Sequence, residues 1–171
     1  MKKIFGWIVV VFAVSCQPPV DPGPSQADMQ ETFDAVDSTM GFIASDVKSD
    51  GDPSGTITEN GGTITFTYSL VGDTYTIDMT FANVGTLGGP EVISGSTKMV
   101  FTVTNVSNII TTTGSVSASY SITGGKISTL TADYTFTSVL DMNPETPTYH
   151  STMSGTAVAD GKVFPLGACC A

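Results

Sequence analysis

The chain has 171 residues and carries 16 acidic side chains against six lysines and no arginine, a formal net charge of −10. A nucleic-acid binder has to replace phosphate counterions with its own cations, and this chain has almost none; nucleic acid is excluded as a partner, and docking on anionic headgroups is disfavoured. Only 13% of the residues are charged, so polarity falls to Thr and Ser, which suit the solvent face of a sheet.

Met1-Lys2-Lys3 forms a short positive start, followed by an apolar run from Ile4 to Val14 broken only by Gly6. Those 11 residues would make a helix of about 16 Å at ~1.5 Å per residue, too short for a ~30 Å hydrocarbon core. The run therefore reads as the apolar region of a signal peptide. It closes on Ala13-Val14-Ser15-Cys16. This segment resembles the lipobox of bacterial lipoproteins, with Ala13 where leucine is usual. The resemblance covers residues 1–16 and implies cleavage after Ser15, with thioether attachment of diacylglycerol to Cys16. Loss of residues 1–15 removes Lys2 and Lys3, leaving four lysines against 16 acids, a net −12. Two or three acyl chains hold a protein stably, at ~0.8 kcal/mol per buried methylene.

From Gln17 to Gln26 there are four prolines in ten residues, which exclude helix and ladder pairing. With Cys16 this is a semi-extended tether, residues 16–26, of about 30 Å at ~3.1 Å per residue. A helix is expected over 27–44. Met29, Phe33, Val36, Met40 and Ile43 follow one another at spacings of 4, 3, 4 and 3, a single apolar stripe. Ser25 with Asp28 three residues on suits an N-cap, and Asp28, Glu31 and Asp34 crowd the first turns, where the helix dipole favours acids.

From Thr56 the period switches to two. Ile64, Phe66, Tyr68 and Leu70 alternate with Thr and Ser, as do Tyr75, Ile77, Met79 and Phe81 with Thr and Asp78. Asn60-Gly61, Gly72-Asp73, Gly124-Gly125 and Asp160-Gly161 are tight-turn signals. Strands are expected at 54–59, 63–71, 74–83, 92–104, 111–122, 126–140, 148–158 and 162–165. Short turns make sequence neighbours spatial neighbours. The predicted fold is thus mainly β: one N-terminal amphipathic helix packed on a curved antiparallel meander sheet or open barrel of about eight strands. It occupies residues 27–165, with a tail at 166–171. Gly95, Gly114 and Gly155 fall in or near strands, where glycine marks bends or bulges.

Chemistry-bearing residues are few. His150 is the single histidine, no Gly-x-Ser-x-Gly elbow accompanies it, and alternation puts it on the Thr/Ser face. Asp78 and Asp133 are expected on that face too, as solvated acids. Cys169 and Cys170 are adjacent in the tail and cannot staple the body to itself. Asp50-Gly51-Asp52-Pro53-Ser54-Gly55 resembles the first half of an EF-hand loop, with Asp50, Asp52, Ser54 and Glu59 as calcium ligands. Gly61 replaces the bidentate glutamate at the twelfth position and strand residues follow, so a polar turn is preferred to calcium.

The resulting expectation is a non-catalytic lipoprotein of the cell envelope, outer membrane or surface, tied to the membrane through lipid on Cys16 and acting as a structural or interaction module. The alternative is a carrier of a lipid or other apolar ligand, held in a concavity lined by Phe66, Tyr68, Phe81, Phe101, Tyr120, Tyr134 and Phe136.

Overall fold

A computed structural model describes residues 23–50, 53–87, 89–143 and 147–167, with backbone alone for 41–50. The expected signal peptide, Cys16 and the expected tether up to residue 22 lie outside these residues, as do Cys169 and Cys170. One helix, α1 (Gln26–Asp50), precedes eight strands: β1 (Ser54–Glu59), β2 (Gly62–Val71), β3 (Thr74–Gly85), β4 (Val92–Val106), β5 (Ile109–Thr123), β6 (Thr129–Asp141), β7 (Thr148–Ala159) and β8 (Lys162–Leu166). Each strand pairs antiparallel with the next, in the order β1 to β8. β1 and β8 do not pair, so the sheet is an open meander and not a closed barrel.

The start of α1 is a reciprocal cap. Ser25 Oγ accepts from the Asp28 amide at 3.1 Å, and Asp28 Oδ2 accepts from the Ser25 amide at 3.1 Å. The Lys126 ammonium lies 2.5 Å from Asp28 Oδ1 and, with Ser25, holds that carboxyl at about 2. The helix runs six residues past the expected end at 44. Nothing from Ser45 to Asp50 breaks a helix, and termination waits for Gly51 and Pro53. Met29, Phe33, Val36 and Met40 are all buried, as their spacing requires; the Ile43 side chain lies outside the described residues.

In the sheet, one face takes Ile64, Ile77, Phe81, Ile93, Tyr120, Leu130 and Ala157 into the core, while their neighbours in each strand face solvent. Each large apolar side chain removed from water contributes ~1.5–3 kcal/mol, so this two-residue alternation selects the register. β6 begins at Thr129 and not at 126. Ile127 drops into the core from the connecting turn, and the Asp160 carboxylate takes the amides of Ser128 and Thr129, which gives the turn an anchor outside the ladder.

Glycines sit where aromatic rings need room on the inner face. Gly95 pairs with both Phe81 and Tyr120, Gly114 with Phe101 and Phe136, and Gly155 with Tyr134. Gly95 has φ +152, a backbone state that other residues rarely adopt. The helix lies across one end of this face. Its N-terminal end meets the β5–β6 and β7–β8 turns through Asp28–Lys126 and through Lys162, which donates to the Pro24 carbonyl. Further along, Phe33 packs edge-on to Tyr134 of β6 at 5.6 Å, and Met40 reaches Tyr120 of β5 and Thr97 of β4. Thr39 Oγ1 donates to the Ala35 carbonyl and accepts from the Leu87 amide at 2.9 Å, latching the β3–β4 loop to the helix.

Candidate ligand cavity on the inner face

Because α1 runs from the β5–β6 turn at Lys126 to the β3–β4 loop at Leu87, it covers that end of the inner face and leaves the opposite end of β5–β7 partly bare. A cavity of about 260 Å³ opens there. Its described lining is Asp37 and Met40 of the helix, Met99 of β4, Val116 of β5, Tyr134, Phe136 and Ser138 of β6, and Tyr149, Ser151 and Met153 of β7. Two-residue alternation puts all the strand members on one face, and the pairing Ser138↔Ser151 and Phe136↔Met153 sets them side by side.

The polar groups are arranged at two levels. At the inner end Tyr134 Oη donates to Asp37 Oδ1. Nearer the rim Tyr149 Oη donates to Ser138 Oγ at 3.2 Å, and Ser138 and Ser151 share a 3.1 Å hydroxyl contact. Tyr149 is 69% exposed and stands at the mouth. Burial raises the Asp37 carboxyl above its ordinary value; the Tyr134 hydrogen bond opposes this, and the nearby Asp34 charge adds to it. Burial, and then the Asp37 charge, push the Tyr134 and Tyr120 phenols well above theirs. The Tyr120 hydroxyl is tied to Thr97 and to the sulfur of Met40, itself a lining residue, and Tyr120 is not part of the lining.

Since Asp37 has a raised folded value, protonation favours the fold. That contribution is complete below the unfolded value of ~3.9 and is lost as pH rises through the folded one. Asp37→Asn keeps an acceptor for Tyr134 and removes the buried charge. It is expected to raise the urea midpoint at pH 7, with the gain vanishing by about pH 3; a lower midpoint at pH 7 would contradict this account.

The aromatic side chains expected to line a concavity all lie on the inner face, in two groups. Phe66, Phe81, Tyr120 and Tyr134 are buried, while Tyr68, Phe101 and Phe136 are half-buried. Tyr75 stacks on Phe101 with ring centroids 5.1 Å apart and extends the second group. Asp37, Met99, Tyr149 and Met153 were not expected in the lining. Asp37 lies four residues after Phe33 and three before Met40, so its place beside the apolar stripe is readable from helical spacing.

The remaining candidates stand apart from the cavity. His150 is exposed on the outer face opposite Val139. Asp133 is exposed there too, and Asp78 makes a 3.5 Å surface ion pair with Lys98. Of the calcium candidates, Ser54 is an exposed edge residue paired with Thr67, and Glu59 closes β1 opposite Gly62. The Asp50 side chain and Asp52 lie outside the described residues. Among the described residues no group of three or more His, Cys, Asp or Glu could hold a metal ion. The outer face carries a shallower basin of about 430 Å³ among Lys98, Ser117, Asp133 and Ser154.

The end of the sheet nearer the cavity is also its apolar end. The β2–β3, β4–β5 and β6–β7 connections share that end, and they expose Leu70 and Val71, Val106 and Ile109, and Met142. Among the described residues no helix is long and apolar enough to cross a membrane. No protein-family model, curated protein or solved structure matches this chain.

Proposed function

We propose that the protein binds a small apolar or amphiphilic ligand on the inner face of its sheet, and does so from a lipid anchor at Cys16. The observation that carries the first part is the cavity beside α1, apolar along Met99, Val116, Phe136 and Met153 and polar at the Asp37–Tyr134 pair and the rim hydroxyls. Binding sites for small molecules have this character, mostly apolar walls with a few placed polar groups. The apolar tips at the same end support the reading, since a ligand arriving from a membrane would meet Leu70, Val106 or Met142 before water-facing polar groups. The cavity offers hydrogen-bonding groups to orient such a ligand: the Asp37 carboxyl, the Tyr134 and Tyr149 phenols and the Ser138 and Ser151 hydroxyls. Native mass spectrometry of residues 17–171, which retain every described part of the fold, is expected to reveal a co-purifying apolar molecule. An empty chain that also takes up no added apolar compound overturns the reading in favour of a structural module.

The anchor rests on the Ala13-Val14-Ser15-Cys16 segment and the proline-rich stretch behind it. Radiolabelled palmitate is expected to enter the wild-type chain and not Cys16→Ala, and the variant is expected to leave the membrane fraction. Equal labelling of the two would remove this part of the proposal and leave the cavity untouched.

A further inference from the structure

Asp37 is the one carboxylate in the described lining of the cavity; every other lining group is a phenol, a hydroxyl, a thioether or a hydrocarbon. Tyr134 satisfies one of its oxygens, and no lysine of the described residues forms an ion pair with it. A carboxylate against an apolar wall calls for a charge partner, and here the wall supplies none. The same lining rejects an anionic head: a fatty-acid carboxylate or a phosphate would sit beside Asp37 with no arginine or lysine to bind it. An ammonium group finds the opposite, a carboxylate together with the rings of Tyr134, Phe136 and Tyr149, the side chains whose faces attract cations. The volume of about 260 Å³ falls just under the ~300–1,000 Å³ range of drug-sized pockets and suits one chain better than the two of a phospholipid.

Taking the cavity as the binding site proposed above, we infer that its ligand is a single-chain amphiphile with a protonated amine head, the ammonium paired with Asp37 and the tail among Met99, Phe136 and Met153. The inference rests on that reading and adds the sign of the head group to it. Three probes that share a ten-carbon tail decide between them: decylammonium, decanol and decanoate, titrated calorimetrically into residues 17–171. The salt should be about 0.15 M, so that the acidic surface beyond a Debye length of ~8 Å is screened. Decylammonium is expected to bind roughly tenfold or more tighter than decanol, as a charge-assisted contact does over a neutral one, and decanoate weaker than either. Asp37→Asn should bring the amine down to the alcohol and leave decanol binding in place. Tyr134→Phe keeps the charge and should keep the preference, which guards against an Asp37 variant that fails to fold. If the wild-type chain binds decanol or decanoate as tightly as the amine, the inference falls and the apolar-ligand reading stands. If none of the three binds, both fall.

Discussion

Replacing Phe81 by alanine is expected to cost the fold about 3–5 kcal/mol, the largest loss from any single truncation of the core. Phe81 is 2% exposed, pairs across strands with Ile64 and Gly95, and meets Tyr120 edge-on with centroids 5.7 Å apart. Three losses coincide. The ring leaves its apolar surroundings, an aromatic contact of ~0.5–1.5 kcal/mol disappears, and Tyr120 loses the neighbour that holds its hydroxyl on Thr97 and Met40. The glycine opposite cannot fill the gap, because Gly95 has no side chain to move. Against a total stability of ~5–15 kcal/mol, such a loss leaves the variant marginal at 37 °C. Urea unfolding followed by circular dichroism measures it, and a loss under about 1.5 kcal/mol would show that the core repacks. Phe136→Ala is the comparison. That ring is half-buried at the cavity, where solvent enters the space it leaves, and a clearly smaller loss is expected.

Gly155→Val is expected to abolish cooperative folding, although valine is a far better strand former than glycine. A Cβ at Gly155 would lie 2.2 Å from the Asp133 carbonyl oxygen and 2.5 Å from Tyr134 Cα, both in the backbone of the neighbouring strand. A backbone in the middle of an eight-strand sheet cannot swing aside as a side-chain tip would. β6 and β7 would have to part at the point where Tyr134 also holds Asp37 and packs on Phe33. The control is Gly161→Ala in the β7–β8 turn, which has open space around it and φ +82. It should cost only ~1–2 kcal/mol, the strain of a left-handed backbone at one residue. A Gly155→Val protein with a normal unfolding transition would mean that the sheet bends more readily than these distances allow.

The two inner-face regions have different physical characters, and this bears on function. Where Met29, Phe33 and Val36 of α1 meet the sheet, all three side chains are buried. Beyond Met40 and Asp37 the same face keeps its aromatic and methionine side chains but stays partly exposed. Methionine adapts its shape to what it touches, so Met99 and Met153 make a forgiving wall for a flexible tail. A binder built this way keeps its stability in one half and its ligand in the other. Asp37→Asn should therefore lose tight amine binding without any loss of stability.

The strand pattern was legible residue by residue. Alternation with period two, punctuated by Asn60-Gly61, Gly72-Asp73 and Asp160-Gly161, is enough to order eight strands as a meander, because short turns leave a chain no other neighbour to pair with. The apolar stripe of the helix and the Ser25–Asp28 cap were equally local signals. What lay beyond reach was geometry between distant residues. Asp37 and Tyr134 are 97 positions apart and Met40 and Tyr120 are 80 apart, and no local propensity says that they meet. The place of α1 on the sheet decides which part of the inner face is covered and which part opens as a cavity. That place follows from packing across the whole inner face, through the glycines opposite the rings, the bulge between Phe81 and Val84, and the turn anchors at Lys126 and Asp160. Sequence by itself determined the elements and their order, since those depend on near neighbours; tertiary structure alone decided that the sheet stays open, and where its uncovered half lies, since both depend on how large side chains from distant strands share one limited space.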